Sequence, residues 1–160
     1  MHTETRAKRI RSRVKPGLLI GCPQFGQQQP IPRQYTGDGA NINPQLDIRL
    51  IPRGTRTLAV IVSDADSYTP GWVHWVAWDI PVTRHIREAH VSGVQGINDY
   101  QLNRYSGPAP QQGKHRYHYK VYALDRSLGL PERTTARQLE RAMEGHVLAW
   151  GEVVGTYERT

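Results

Sequence analysis

Cysteine is almost absent from this chain, with Cys22 the only one in 160 residues. That excludes an intrachain disulfide and a multi-cysteine metal site, and it fits a reducing compartment. Long apolar runs are missing as well. None approaches the roughly 18 residues of a membrane-spanning helix. Leu19-Ile20-Gly21-Cys22 has the outline of a lipoprotein cleavage box, but the apolar run from Leu18 to Ile20 falls far short of the roughly 7 to 15 residues of an export signal. These absences together lead to the expectation of a cytoplasmic protein. Also lacking are an internal repeat, which excludes solenoids and propellers, and any His-x-x-x-His pair of the kind that ligates zinc.

Acidic residues are fewer than basic ones, 14 against 21, for a net charge of +7. The excess is local. Residues 1 to 16 hold six Lys and Arg against Glu4, a net +5, leaving +2 for the other 144 residues. This stretch is read as a flexible basic arm, and residues 17 to 160 as a single domain of ordinary globular composition. The arm could attract phosphates, yet it has no aromatic residue for stacking bases and no nucleic-acid-binding motif. A solvated tail is therefore the stronger reading and nucleic acid is not expected as a partner.

What the chain does have is strand signal and turns. Thr57 to Ser63 is a continuous apolar, β-branched run between turn residues, the pattern of a strand buried on both faces. Gly71 to Pro81 carries three tryptophans in seven residues and reads as a second strand. Strict alternation there groups His74 with Val76, Trp78 and Ile80. Arg116 to Leu124 makes a third strand, with Tyr117, Tyr119, Val121 and Ala123 on one face. One helix is expected, opened by a capping box at Thr135 to Gln138, with Gly145 near its end. A final strand is expected from Val153 to Tyr157. The stretch from Ile86 to Gly113 reads as a long ordered loop region or a set of short strands.

Three clusters hold the side chains that could do chemistry. Asp64-Ala-Asp66 follows a buried strand, where sites are commonly built, although a turn with Asx hydrogen bonds accounts for the spacing better. His74 lies among tryptophans, and a lone histidine on an apolar face is more often a satisfied core residue than a ligand. The third cluster runs from Ser106-Gly107-Pro108-Ala109-Pro110 to His115-Arg116-Tyr117. Gly107 allows a close backbone approach, and Gly-Pro turns can present N–H groups to an anion. A plain strand entry explains this stretch equally well.

Taken together, the clusters resemble the phosphatidylethanolamine-binding protein family, in particular its bacterial Raf-kinase-inhibitor-like branch. The resemblance runs in order through Ile31-Pro-Arg-Gln-Tyr-Thr-Gly-Asp-Gly39, Asp64-Ala-Asp66, Pro70-Gly-Trp-Val-His-Trp75, Gly96-Ile-Asn-Asp-Tyr100, Tyr105-Ser-Gly-Pro108, His115-Arg-Tyr117 and Val121-Tyr-Ala-Leu-Asp125, and covers about 130 residues. It implies a mainly all-β fold, an antiparallel Greek-key β-sandwich with a C-terminal helical segment. It also implies a small pocket for phosphate or a phospholipid headgroup, formed by Asp64, His74, Gly107, His115 and Tyr117 with Pro70 and Trp72 in its wall. In that pocket the Gly107 N–H, His74, His115 and Tyr117 would donate to the anion, while Asp64 would orient a histidine or accept from an ammonium group. The sequence departs from the family at Ala65, where a proline is common, and at Ala109, where a cysteine is common.

The resulting expectation is a binding protein with no catalytic residue, cofactor or metal. Its ligand would be a small anion, and its partner a protein such as a kinase or protease that it inhibits or scaffolds. A homodimer stays open. The competing reading is a metal-dependent hydrolase in which Asp64, Asp66, His74 and His115 hold zinc or manganese.

Overall fold

Every residue of the strand Thr57–Asp64 is buried, as a β-branched run with no polar alternation requires. This strand, β4, is the middle of the molecule. The computed structural model describes residues 17 to 159; the basic arm of residues 1 to 16 lies outside the described residues. In chain order the strands are β1 (Leu19–Gly21), β2 (Gln29–Pro30), β3 (Leu46–Arg49), β4, β5 (Trp72–Pro81), β6 (His85–Ile86), β7 (Val94–Gln95), β8 (Lys114–Leu124) and β9 (Val147–Glu158); the described residues also form a short 3-10 turn at Arg33–Tyr35 and one α-helix, α1 (Ala136–Met143), between β8 and β9.

The strands form two sheets. The larger has the order β2-β9-β8-β4-β5-β7, and the smaller β1-β3-β6. The chain therefore passes between layers repeatedly, as the expected all-β sandwich requires. Pairing is antiparallel except for the two-residue contact of β2 with β9. One face of the large sheet packs with the small sheet, burying Leu58, Val60, Val62, Trp75, Tyr119 and Val121 with Ile20 and Ile48. The other face packs Ala59, Ile61, Val76, Trp78 and Leu124 against Leu139 and Met143 of α1. Two cores share one sheet, which is why β4 has no polar face.

The helix starts as its sequence predicts. Thr135 Oγ1 accepts from the Gln138 N–H, and Gln138 Oε1 accepts from the Thr135 N–H, a reciprocal cap that contributes about 1 kcal/mol. It ends before Gly145, which sits at φ +81°, a conformation that favours glycine. The last strand then begins six residues earlier than the expected Val153, at Val147.

Strict alternation fails in β5, and the reason bears on function. Its pairing with β4 shifts register twice, between Val62 and Ser63 and between Leu58 and Val60. Each shift is a β-bulge holding one extra residue. At the first, His74 and Trp75 both turn to the small-sheet side, so His74 is separated from Val76 and Trp78 rather than grouped with them. At the second, next to Asp79 at φ +51°, Ile80 changes sides.

Candidate functional site

Asp64 ends β4, flanked across the sheet by Trp72 of β5 and Tyr117 of β8. Three adjacent strands thus bring parts of all three sequence clusters to one end of the sandwich. They line a cleft of about 650 Å³ with Asp64, Trp72, His74, Tyr100, His115 and Tyr117 around it, and with the segment from Ala109 to Gln112 along one side.

Asp64, His115 and His74 are each held by short hydrogen bonds. Asp64 is buried; its Oδ1 accepts from the Asp66 N–H at 2.8 Å, and its Oδ2 faces His115 Nδ1 at 2.7 Å. The other nitrogen of His115, Nε2, faces the Gln112 carbonyl at 2.9 Å. Both nitrogens of His115 therefore face oxygens that only accept. His74 is 2% exposed, and its Nδ1–H donates to the Ser106 carbonyl at 2.6 Å. That bond fixes the tautomer, leaving Nε2 as an acceptor while the ring is neutral. Burial pushes the His74 pKa down, against the opposing pull of the Ser106 carbonyl and the Asp64 charge.

Tyr117 is fully buried; its Oη makes no hydrogen bond of good geometry, and the Asp64 carboxylate is close enough only for a weak one. The ring stands edge-on to His74, with centroids 5.3 Å apart. Burial, and after it the nearby Asp64 charge, raise the phenol pKa strongly, so the group stays protonated as a donor. Tyr100, 42% exposed, packs edge-on against both Trp72 and His74 at the mouth.

Several expected roles change. The Gly107 N–H is not turned to the cleft: it donates to Asn41 Oδ1 at 2.6 Å, and a Cβ at this position would collide with the Tyr35 carbonyl. The close approach that Gly107 permits is thus to the chain's own backbone. His115 has neither nitrogen turned towards a ligand. Pro70 lies in the adjoining turn, outside the cleft lining, whereas Trp72 is in it. The metal reading fails on geometry, because the Asp66 carboxylate takes two bonds from the Arg116 guanidinium and one from its N–H. Among the described residues no three of His, Cys, Asp and Glu come together as a metal-binding group.

Sequence reasoning missed Asn98 and the part Tyr100 plays. Asn98 is 1% exposed; its side-chain amide donates to the His74 and Arg104 carbonyls and to Ser106 Oγ, and its Oδ1 accepts from the N–H groups of Tyr100 and Leu102. It ties the irregular 98–106 segment to β5, placing Tyr100 at the mouth and the Ser106 carbonyl beneath His74. Its surroundings in sequence, Gly96-Ile-Asn-Asp-Tyr100, carry no such signal on their own.

The sequence model of the phosphatidylethanolamine-binding protein family matches residues 22–158. The chain belongs to that family. Among relatives of this phosphatidylethanolamine-binding protein family member, a UPF0098 protein of Pyrococcus horikoshii is 41% identical over 148 residues, covering 84% of this chain and 74% of that one. A UPF0098 protein of Chlamydia muridarum is 40% identical over 151 residues, covering 89% and 99%. Two crystal structures share the fold. A phosphatidylethanolamine-binding protein homologue from Chlamydia trachomatis superimposes with a TM-score of 0.86 at 34% identity, covering 91% of this chain and all of that one. YbcL of E. coli, described as a member of the mammalian family, gives 0.83 at 23% identity over 90% and 99%. No helix among the described residues is long and apolar enough to cross a membrane.

Proposed function

We propose that the cleft takes a small phosphorylated ligand, a phosphate or a phosphorylated headgroup, and that the protein works as a binding module. The observation that carries this reading is the Tyr117 Oη, a buried hydroxyl at the cleft with no hydrogen bond of good geometry. A buried hydroxyl without a good partner is destabilising by roughly 1 to 3 kcal/mol, and a ligand oxygen in the cleft relieves that.

His74 supplies the second contact. Its Nε2 becomes a donor on protonation, giving a charge-assisted bond about twice as strong as a neutral one. Asp64 is no ligand in this reading. Held by the Asp66 N–H and His115, it adds to burial in keeping the Tyr117 phenol protonated. Among the described residues no Lys or Arg lines the cleft, so selection there rests on hydrogen bonds and favours a singly charged anion over a doubly charged one. Trp72 and Tyr100 offer aromatic faces to whatever the phosphate carries, including an ammonium group.

A titration with phosphoethanolamine followed by NMR tests this. The expected result is a downfield-shifting His74 ring signal and chemical-shift changes at Tyr117. Ligand-independent signals at both residues would overturn the reading.

A further inference from the structure

The end of the sandwich opposite the cleft has a chemistry of its own. There β3 runs out at Arg49, β4 starts at Thr57, β5 stops at Pro81 and β8 stops at Leu124; the eight residues of β4 put about 25 Å between the two ends. Arg49, Arg53, Arg56 and Arg84 are all exposed here. Among the described residues none of the four lies within ion-pair distance of a carboxylate. The acids nearby are already engaged: Asp47 with Gln45 and His85, Asp79 with the N–H groups of Leu128 and Gly129, Asp125 with His146.

Between these arginines stand aliphatic side chains open to solvent. Leu50 is 67% exposed, Leu19 58%, Val82 45% and Leu148 38%. Leu19 pairs with Arg49 across β1 and β3, Arg49, Leu50 and Arg84 line one groove, Val82 stands two residues before Arg84, and Leu148 lies 3.9 Å from where a Cβ on Gly54 would be. Residues 1 to 16, with six basic groups against one acidic, join the described chain at this same end, since Gly17 and Leu18 both donate to the Trp150 carbonyl and Leu19 follows.

We infer that this end docks on an anionic phospholipid surface. Unpaired guanidinium groups supply the long-range attraction, and the aliphatic tips enter the headgroup layer once contact is made. Nucleic acid fits the charge but not the aliphatic side chains. The exposed aromatic rings with which bases could stack, Tyr68 and Tyr100, lie at the cleft end. Docked in this way, the protein turns its cleft away from the bilayer.

The test is co-sedimentation of the full chain with vesicles of phosphatidylcholine alone and with vesicles containing phosphatidylglycerol, at low and at high salt. The wild type is expected in the pellet only with phosphatidylglycerol, and less at high salt. Arg49→Gln with Arg84→Gln should lower the partition coefficient about 30-fold, at roughly fivefold for each arginine lost. Leu50→Ser with Val82→Ser should lower it about tenfold while retaining the salt dependence. Near-ultraviolet circular dichroism of each variant confirms that the fold is kept. The inference is overturned if the wild type stays in the supernatant with phosphatidylglycerol, or if the arginine pair has no effect, which would assign binding to residues 1 to 16 alone. It is also overturned if duplex DNA displaces the vesicles and the leucine-valine pair has no effect, which would reduce the surface to an unselective polyanion site.

Discussion

The two ends of the sandwich hold their polar groups in opposite ways. At the cleft end Asp64, His74, Asn98 and Ser106 are buried, and their hydrogen bonds run to one another and to nearby backbone. At the far end the arginines are exposed, and among the described residues none is within ion-pair distance of a carboxylate. Both ends could attract phosphate, but by different physics. The cleft relies on short, directed bonds in a site of low dielectric, which respond to protonation and little to salt. The far end relies on screened Coulomb attraction, which responds to salt, and its arginines keep their charge throughout pH 5 to 8.

Four experiments break or sharpen that contrast, taken from the largest expected effect down. Asn98→Ala removes the buried hub of the 98–106 segment. It should destabilise the fold by about 3 kcal/mol and abolish ligand response in the cleft, while vesicle binding at the far end persists in the folded fraction; urea denaturation and the two binding assays measure this. If stability holds, the hub is not what orders the cleft.

Next comes pH. The folded-state pKa of His74 is lowered below its unfolded value of about 6.5, so this group contributes stability above that value, and the contribution is lost as pH falls through the folded pKa. Anion binding runs the other way, because the bound anion favours the imidazolium. Affinity for dimethyl phosphate, a monoanion over the whole range, should rise by up to about tenfold for each unit that pH falls and level off below the folded pKa of His74. His74→Gln should flatten this profile. An affinity independent of pH in the wild type would count against His74 as a ligand.

Tyr117→Phe removes the poorly bonded hydroxyl with little change of shape. Thermal unfolding should show a protein as stable as the wild type or up to about 1 kcal/mol more so, with ligand affinity reduced about fivefold. Loss of stability instead would mean that Oη has a strong internal partner. The smallest effect belongs to Asp66, whose carboxyl the Arg116 guanidinium pushes down to about 2. Its contribution is present above the unfolded pKa of about 4 and is lost as pH falls towards 2. Because Arg116 is 55% exposed, the pair is worth less than about 1 kcal/mol. Arg116→Gln should lower stability at neutral pH slightly, remove its fall between pH 4 and 2, and leave dimethyl phosphate binding unchanged.

Sheet-forming residues were legible because their signals are local. The β4 run announces burial on both faces, the Thr135 capping box announces a helix start, and alternation in β8 separates its two faces correctly. The bulges of β5 were not legible, since they depend on how two strands match in length and the tryptophan-rich sequence reads as regular alternation either way. Residue identity also misled at the cleft. Gly107 and His115 were expected to donate to an anion because glycine amides and histidines can; Asn41, Asp64 and the Gln112 carbonyl take those donors first. Which of several capable groups is left over is a property of the whole fold. The poorly bonded oxygen of Tyr117 is such a remainder.

The bulge at His74 also equips the protein with an optical readout. Adjacent residues of a regular strand point to opposite sides, but here the histidine of the cleft and a fully buried indole share one side of the sheet, and Trp75 Nε1 is anchored to Gln95 Oε1 at 2.8 Å. A charge appearing on His74 is therefore placed beside a rigid chromophore. Tryptophan emission, recorded without any label, becomes a running meter of the protonation and occupancy of the cleft.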